Sequence, residues 1–320
     1  MEGVLLGFGV VLALVAVGFG AAVLLPQQTP AMQKGLTPAI YYITNPALMF
    51  ILLAETDLGA VIGVYTPIAL ITAAVAGGLY ALVARLLLRR SGARTAVGAM
   101  ASSYVNAGNI GIPIAIYAVG SSAPVVSVLL AQLLVIAPVY LSVFAWTSRR
   151  RPGPQTAAAN DDASAPLSRT LLRSIANPVT VATAAGALMS VTGLHLPDVI
   201  WTPVEMLGNA SIPLLLMLFG MSLYGQKPLS QRSVRADVAL GSAVKLVLMP
   251  LVAWAVAHYL FGVDGAQLLG VVVMAALPTA QNVFLFSSQF GMQSTLVRDV
   301  IFLSSLLSLP AVLLVALLLG

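Results

Sequence analysis

The chain has 320 residues, of which 59% are apolar and only 8% charged, and it contains no cysteine. Its mean hydropathy is +0.99, whereas a soluble domain would carry about 25% charged residues, so the composition predicts a protein of the bilayer. The missing thiols exclude disulfides, thiolate metal sites and a cysteine nucleophile, and the net charge of +5 reads as a topology signal facing the cytoplasm rather than a nucleic-acid surface.

A membrane-spanning helix needs roughly 20 apolar residues. Long unbroken apolar blocks, rather than alternating strand patterns, predict an all-α polytopic membrane protein. In chain order the ten predicted transmembrane helices are 4–25, 36–54, 60–87, 95–119, 122–147, 171–192, 199–224, 236–262, 266–290 and 294–319. The first opens on Met1 and Glu2 instead of a basic segment and is read as an uncleaved span, not a signal peptide.

Cytoplasmic loops collect lysine and arginine. With both termini facing outward, the inner loops hold 14 of the 15 basic residues, from Lys34 through the Arg85–Arg94 and Arg149–Arg173 groups to Arg298. Only Lys245 then falls inside a span, while Glu2, Glu55, Asp57, Asp198, Glu205 and Asp264 face outward. Omitting one span would invert every later loop, so this partition supports the count of ten.

Residues 148–170, with Arg149-Arg150-Arg151 and Asn160-Asp161-Asp162, read as a disordered cytoplasmic linker. The linker separates a first five-helix repeat, 1–147, from a second, 171–320. Asn45-Pro46 in span two matches Asn209 to Pro213 in span seven, and Pro138 and Pro310 close the two halves at an offset of 172 residues. An odd number of spans per half turns the second copy upside down, giving the inverted repeat of many secondary transporters.

Spans four and nine carry interrupted sequences in equivalent places, Asn106 to Pro113 and Ala276 to Asn282. Proline lacks an amide donor and collides with the preceding turn, so each span is expected to break, near Pro113 and near Pro278. Broken backbone is tolerated within a membrane only inside protein or beside a cavity, where positive half-helix ends favour an anion. The candidate substrate residues are therefore Asn106, Asn109, Pro113, Pro278, Gln281 and Asn282. Asn and Gln could equally cap the broken ends. Lys245 could face a substrate carboxylate or snorkel to the cytoplasmic interface, and Asp299 reads as a local ion pair with Arg298. No acidic residue lies clearly in mid-span, so a carboxylate proton carrier finds no support, although neutral oxygens could hold Na⁺. His195 and His258 lack metal-ligand spacing, no enzyme and no cofactor is expected, and the glycine-rich stretches Gly3–Gly9 and Gly77-Gly78 read as close-packing positions.

These pieces, Asn45-Pro46-Ala47-Leu48, the Asn-x-x-Asn-x-Gly-x-Pro run from Asn106 to Pro113, Asn177-Pro178, Gly208 to Pro213, Lys245 to Pro250 and Ala275 to Pro278, occur in an order that resembles the auxin efflux carrier family. The resemblance covers both halves, apart from the linker. It implies ten helices in which spans four and nine cross at a substrate site, with Pro113 and Pro278 at the crossing and Asn109 meeting a carboxylate. It further implies a scaffold of spans one, two, six and seven, an elevator movement of spans three to five and eight to ten, and homodimers formed through the scaffold. The short linker is similar to that of bacterial members, annotated for malate or malonate, which implies a multi-pass protein of the bacterial inner membrane.

The expected function is secondary-active transport, or facilitation, of a small organic anion, a mono- or dicarboxylate, with Na⁺ or H⁺ open as coupling ion. A Na⁺-coupled bile-acid-type symporter and a non-transporting sensor or scaffold of the same fold remain the alternatives.

Overall fold

The computed structural model describes residues 2–56, 63–149, 178–225, 229, 231–292 and 294–320. Asp57, Lys227, Arg150, Arg151 and the rest of the linker, Arg169, Arg173 and Asn177 lie outside the described residues. Among those described, the protein is all-helical, and its one β-bridge is an isolated antiparallel one, Val105 to Thr279.

Twelve helical elements follow one another among the described residues: α1 (Glu2–Leu24), α2 (Thr29–Ala54), α3 (Tyr65–Leu86), α4 (Gly92–Ser103), α5 (107–119), α6 (123–149), α7 (Pro178–Thr192), α8 (Asp198–Leu223), α9 (Arg232–Leu260), α10 (Gly265–Ala276), α11 (Asn282–Gln289) and α12 (Ser294–Leu319). Six stretches are long and apolar enough to cross a membrane: α2, α3, Ala123–Phe144 of α6, α8, α9 and Thr295–Leu319 of α12. Leu12–Leu24 of α1, α7 and α10 are shorter apolar helices.

Proline shapes four of these helices in the same way. A widened π-type turn occupies Ile40–Thr44, Ala107–Gly111, Gln132–Ile136 and Val244–Leu248, and each ends two residues before a proline, Pro46, Pro113, Pro138 and Pro250. Proline cannot donate to the carbonyl four residues back and pushes it aside; the wider turn gives that carbonyl room, and the helix continues. Pro113 therefore does not break its helix. The expectation of a break there is corrected: the chain leaves helical geometry earlier, at Tyr104 (φ −98°, ψ 109°), and Pro113 lies buried within α5.

The chain forms two compact units, one of Met1–Tyr65, Gly108–Ser127 and Ala176–Gln226, the other of Thr66–Ala107, Val128–Ile175 and Lys227–Gly320. In the first unit α8 packs along α1 and α2, α7 along α2, and the end of α5 along α1. Glycine permits this closeness. A Cβ at Gly18 would strike the Met217 backbone, one at Gly220 the Val15 carbonyl, and one at Gly186 the Phe50 carbonyl. Helices in a bilayer gain little from hiding apolar surface and associate through such backbone-close packing. In the second unit α9, α10 and α12 pack on one another, and α4 packs on α6, α9 and α12. Here Gly77 meets the Tyr140 hydroxyl and Gly78 faces open space, as Gly9 does in the first unit, so not every glycine of these stretches serves packing.

Gly220→Val is expected to destabilise by overpacking, on the order of 1–3 kcal/mol, and Gly78→Val to leave thermal unfolding in detergent near that of the parent. Equal melting temperatures for all three proteins would remove the packing argument.

Candidate functional site

Two helix ends meet within the second unit. α4 starts at Ser91, whose hydroxyl accepts from the Arg94 amide at 3.5 Å, and it is built of small residues that let α6, α9 and α12 approach. It ends at Ser103, because Tyr104 and Val105 are extended. α10 ends at Ala276, because Leu277 precedes Pro278 and is held out of helical geometry, at φ −60° and ψ 153°.

The two extended segments pair. The Asn106 amide donates to the Pro278 carbonyl at 2.8 Å, and the Ala280 amide donates to the Tyr104 carbonyl at 3.1 Å. Tyr104, Val105, Asn106, Thr279 and Ala280 are all buried, so these groups have no water to turn to and each break supplies the partners that the other lost. Side chains complete the set. Gln132 Nε2 donates to the Val105 carbonyl at 2.8 Å, the Thr279 hydroxyl donates to the Ala101 carbonyl at 2.6 Å, and Ser304 Oγ accepts from the Thr279 amide at 3.1 Å. Lys245 Nζ donates to the Ala275 carbonyl at 3.1 Å and to Met249 Sδ at 2.9 Å.

The residues singled out from sequence fall as follows. Asn106 and Pro278 are in the crossing itself. Gln281 and Asn282 follow it directly, exposed at the start of α11, where the Gln281 carbonyl accepts from the Phe284 amide. Asn109 and Pro113 belong to the first unit; Asn109 lies in the widened turn 107–111 and its side chain is outside the described set. Lys245 is fully buried, so of the two readings left open from sequence it does not snorkel to the interface; it reaches the end of α10 instead. The amide after Pro278, that of Thr279, is held by Ser304 and is not open to an anion. Asp299 pairs with Arg298 Nη2 at 2.8 Å and also accepts from the Leu229 amide.

Sequence reasoning missed Gln132, Thr279 and Ser304, although a signal was there. Gln132 and Ser304 each precede the late proline of their half, Pro138 and Pro310, by six residues. It also missed Asp237, a fully buried carboxylate between Arg90 (3.0 Å) and Arg94 (2.5 Å) that ties the start of α9 to the segment entering α4.

Gln132→Ala leaves the Val105 carbonyl without this buried donor and is expected to cost about 1–3 kcal/mol. Hydrogen exchange followed by mass spectrometry should then show faster exchange at Asn106 and Ala280; unchanged exchange there would reject the clamp.

The chain matches the family model for membrane transport proteins over residues 10–316. It is also 26% identical, over 286 residues, to a protein of Rhizobium meliloti (strain 1021) named "Putative malonate transporter", covering 87% of this chain and 84% of that one. With helices long enough to span a bilayer and a match over nearly its whole length, this multi-pass membrane protein belongs to the membrane transport protein family, that of the auxin efflux carriers.

Proposed function

We propose that the protein is a secondary transporter of a small organic anion, a mono- or dicarboxylate of about the size of malonate. The observation that carries this reading is the reciprocal pairing of two broken helices at Val105 and Thr279, polar backbone buried inside a transport-family protein. Such a construction is expensive for a mere scaffold, since every freed group must be answered, and it recurs where carriers bind solute. The substrate carboxylate is bound just beyond the crossing by the exposed amides of Gln281 and Asn282, with Asn106 on the other strand, where its backbone amide meets the Pro278 carbonyl. Asn109 and Pro113 remain substrate residues on the ground of the family resemblance.

The proposed topology is ten spans in two inverted repeats, 1–147 and 171–320, with both termini outward in the inner membrane of a bacterium. Two features support it. The bridge joins the interruption of one half, at Val105, to that of the other, at Thr279, and Gln132 and Ser304 reach it from equivalent places before Pro138 and Pro310. The composition of the units supports elevator-type alternating access: α1, α2, α7 and α8 fall in one, and α3, α4, the larger part of α6 and α9 to α12 in the other. The first unit also includes residues 108–127, so the division follows the resemblance except in that stretch.

The test is uptake of radiolabelled malonate, malate and succinate by proteoliposomes. The purified protein should take up at least one carboxylate above empty vesicles, and the same compound should raise the melting temperature, by about 2.7 kcal/mol of stabilisation at 100 times its Kd. Asn109→Ala and Gln281→Ala are each expected to lower uptake at least about tenfold, the loss of a contact worth 1.4 kcal/mol. Uptake of no carboxylate would sink the transporter reading; normal uptake in both variants would sink the site.

A further inference from the structure

Six arginines gather at one edge of the second unit. Arg85, Arg89, Arg90 and Arg94 come from the end of α3 and the start of α4, and Arg232 and Arg235 from the start of α9. Asp237 draws these two segments together. Fully buried, it accepts from Arg90 Nε at 3.0 Å and from the Arg94 guanidinium, which also donates to the Ser233 carbonyl. Arg85 Nη1 donates to the Arg90 carbonyl at 3.0 Å. Across residues 85–94 and 231–243 Asp237 is the one acidic residue, so six positive charges meet one negative charge. The carboxylate offsets one guanidinium of the pair that holds it, and Arg85, Arg89, Arg232 and Arg235 stay exposed.

Charges that only fix topology act from anywhere in a short loop and need no such convergence around a buried carboxylate. The turn between α3 and α4 is also shaped for it. Arg89 lies at φ 49°, a left-handed conformation that is strained for a side chain with a Cβ. It leaves Arg89 exposed while the next residue reaches Asp237. The depth is that of a membrane surface, since the apolar stretch Tyr65–Leu86 ends at the patch and Arg232–Leu260 begins there. On α3, Val75, Leu79, Leu82 and Leu86 are exposed, and their helical spacing aligns them on one face. That stripe runs to Arg85, three residues after Leu82.

We propose that this edge of the second unit binds an anionic phospholipid. Its phosphate pairs with Arg85 and Arg89 in the field of Arg232 and Arg235, and an acyl chain lies along the α3 stripe. The stripe accepts the tail of any lipid, so the charge selects the headgroup; the planar guanidinium fork matches phosphate oxygens, and clustered basic residues beside a membrane favour anionic lipids. A lipid held there steadies the turn that carries Arg90 to Asp237, and with it the junction between α4 and α9.

The experiment adds phosphatidylglycerol, or phosphatidylcholine with the same acyl chains, to the purified protein in neutral detergent. It reads the melting temperature and, by native mass spectrometry, the Kd of each lipid. Phosphatidylglycerol should raise the melting temperature and bind at least about tenfold more tightly than phosphatidylcholine. Its thermal shift should fall by about half or more in about 1 M salt, where charges are screened within about 3 Å. Equal effects of the two lipids overturn the inference. An equal shift from glycerol 3-phosphate also overturns it, because the patch would then take a soluble phosphate ester. The double variant Arg85→Gln with Arg89→Gln removes two exposed charges and leaves both arginines on Asp237 in place. Its preference for phosphatidylglycerol should drop at least about fivefold, and an unchanged preference overturns the inference. If this variant does not unfold cooperatively, the comparison of the two lipids and glycerol 3-phosphate on the wild-type protein decides.

Discussion

A helix that stops inside a buried apolar unit leaves amides and carbonyls with nowhere to go, and the second unit is arranged around that constraint. Two helices stop there, at Ser103 and Ala276. Each break presents what the other lacks, so that Asn106 donates to Pro278 and Ala280 to Tyr104. Pro278 fits this exchange, because it ends α10 while still offering its carbonyl. The remaining carbonyls recruit Gln132 from α6, Thr279 from within the break and Lys245 from α9, in keeping with α9 and α12 packing on both α4 and α10 and α6 packing on α4.

The first unit answers a different constraint. Apolar helices surrounded by lipid gain little by hiding apolar surface, and their cohesion comes from close contact. Gly18 and Gly220 bring the backbones of α1 and α8 together, and Gly186 and Gly208 do the same for α7 and α8 against α2. Pro46 and Pro113 within this unit do not end their helices. The widened turns before Pro46 and Pro113 absorb the missing hydrogen bond, so α2 and α5 run on. The same sequence signal, a proline in an apolar helix, thus has two outcomes: a widened turn at Pro113, and an extended break at Pro278.

Charge is distributed to match. The carboxylates Asp237 and Asp299 are neutralised by arginines near the starts of α9 and α12. Among the described residues, the groups that reach the crossing from neighbouring helices are the Gln132 amide, the Ser304 hydroxyl and the Lys245 amine.

Composition and apolar run length were enough to determine an all-helical membrane protein, because a bilayer admits few other backbone arrangements and an apolar segment of sufficient length has one stable use. The interruptions at Asn106 and Pro278 and the family to which the chain belongs were legible too, since they rest on local chemistry and on the order of short motifs. What only the tertiary structure decided was where span four breaks and what answers the break. Pro113 looked like the breaking point, yet its lost hydrogen bond is local and a wider turn absorbs it, whereas the break at Tyr104 exists because Thr279 and Ala280, some 175 residues away in the chain, offer it a partner. Lys245 is the same case: its charge is visible in the sequence, but whether it reaches water, substrate or the carbonyl of Ala275 depends on which helix lies beside it, and no local pattern encodes that.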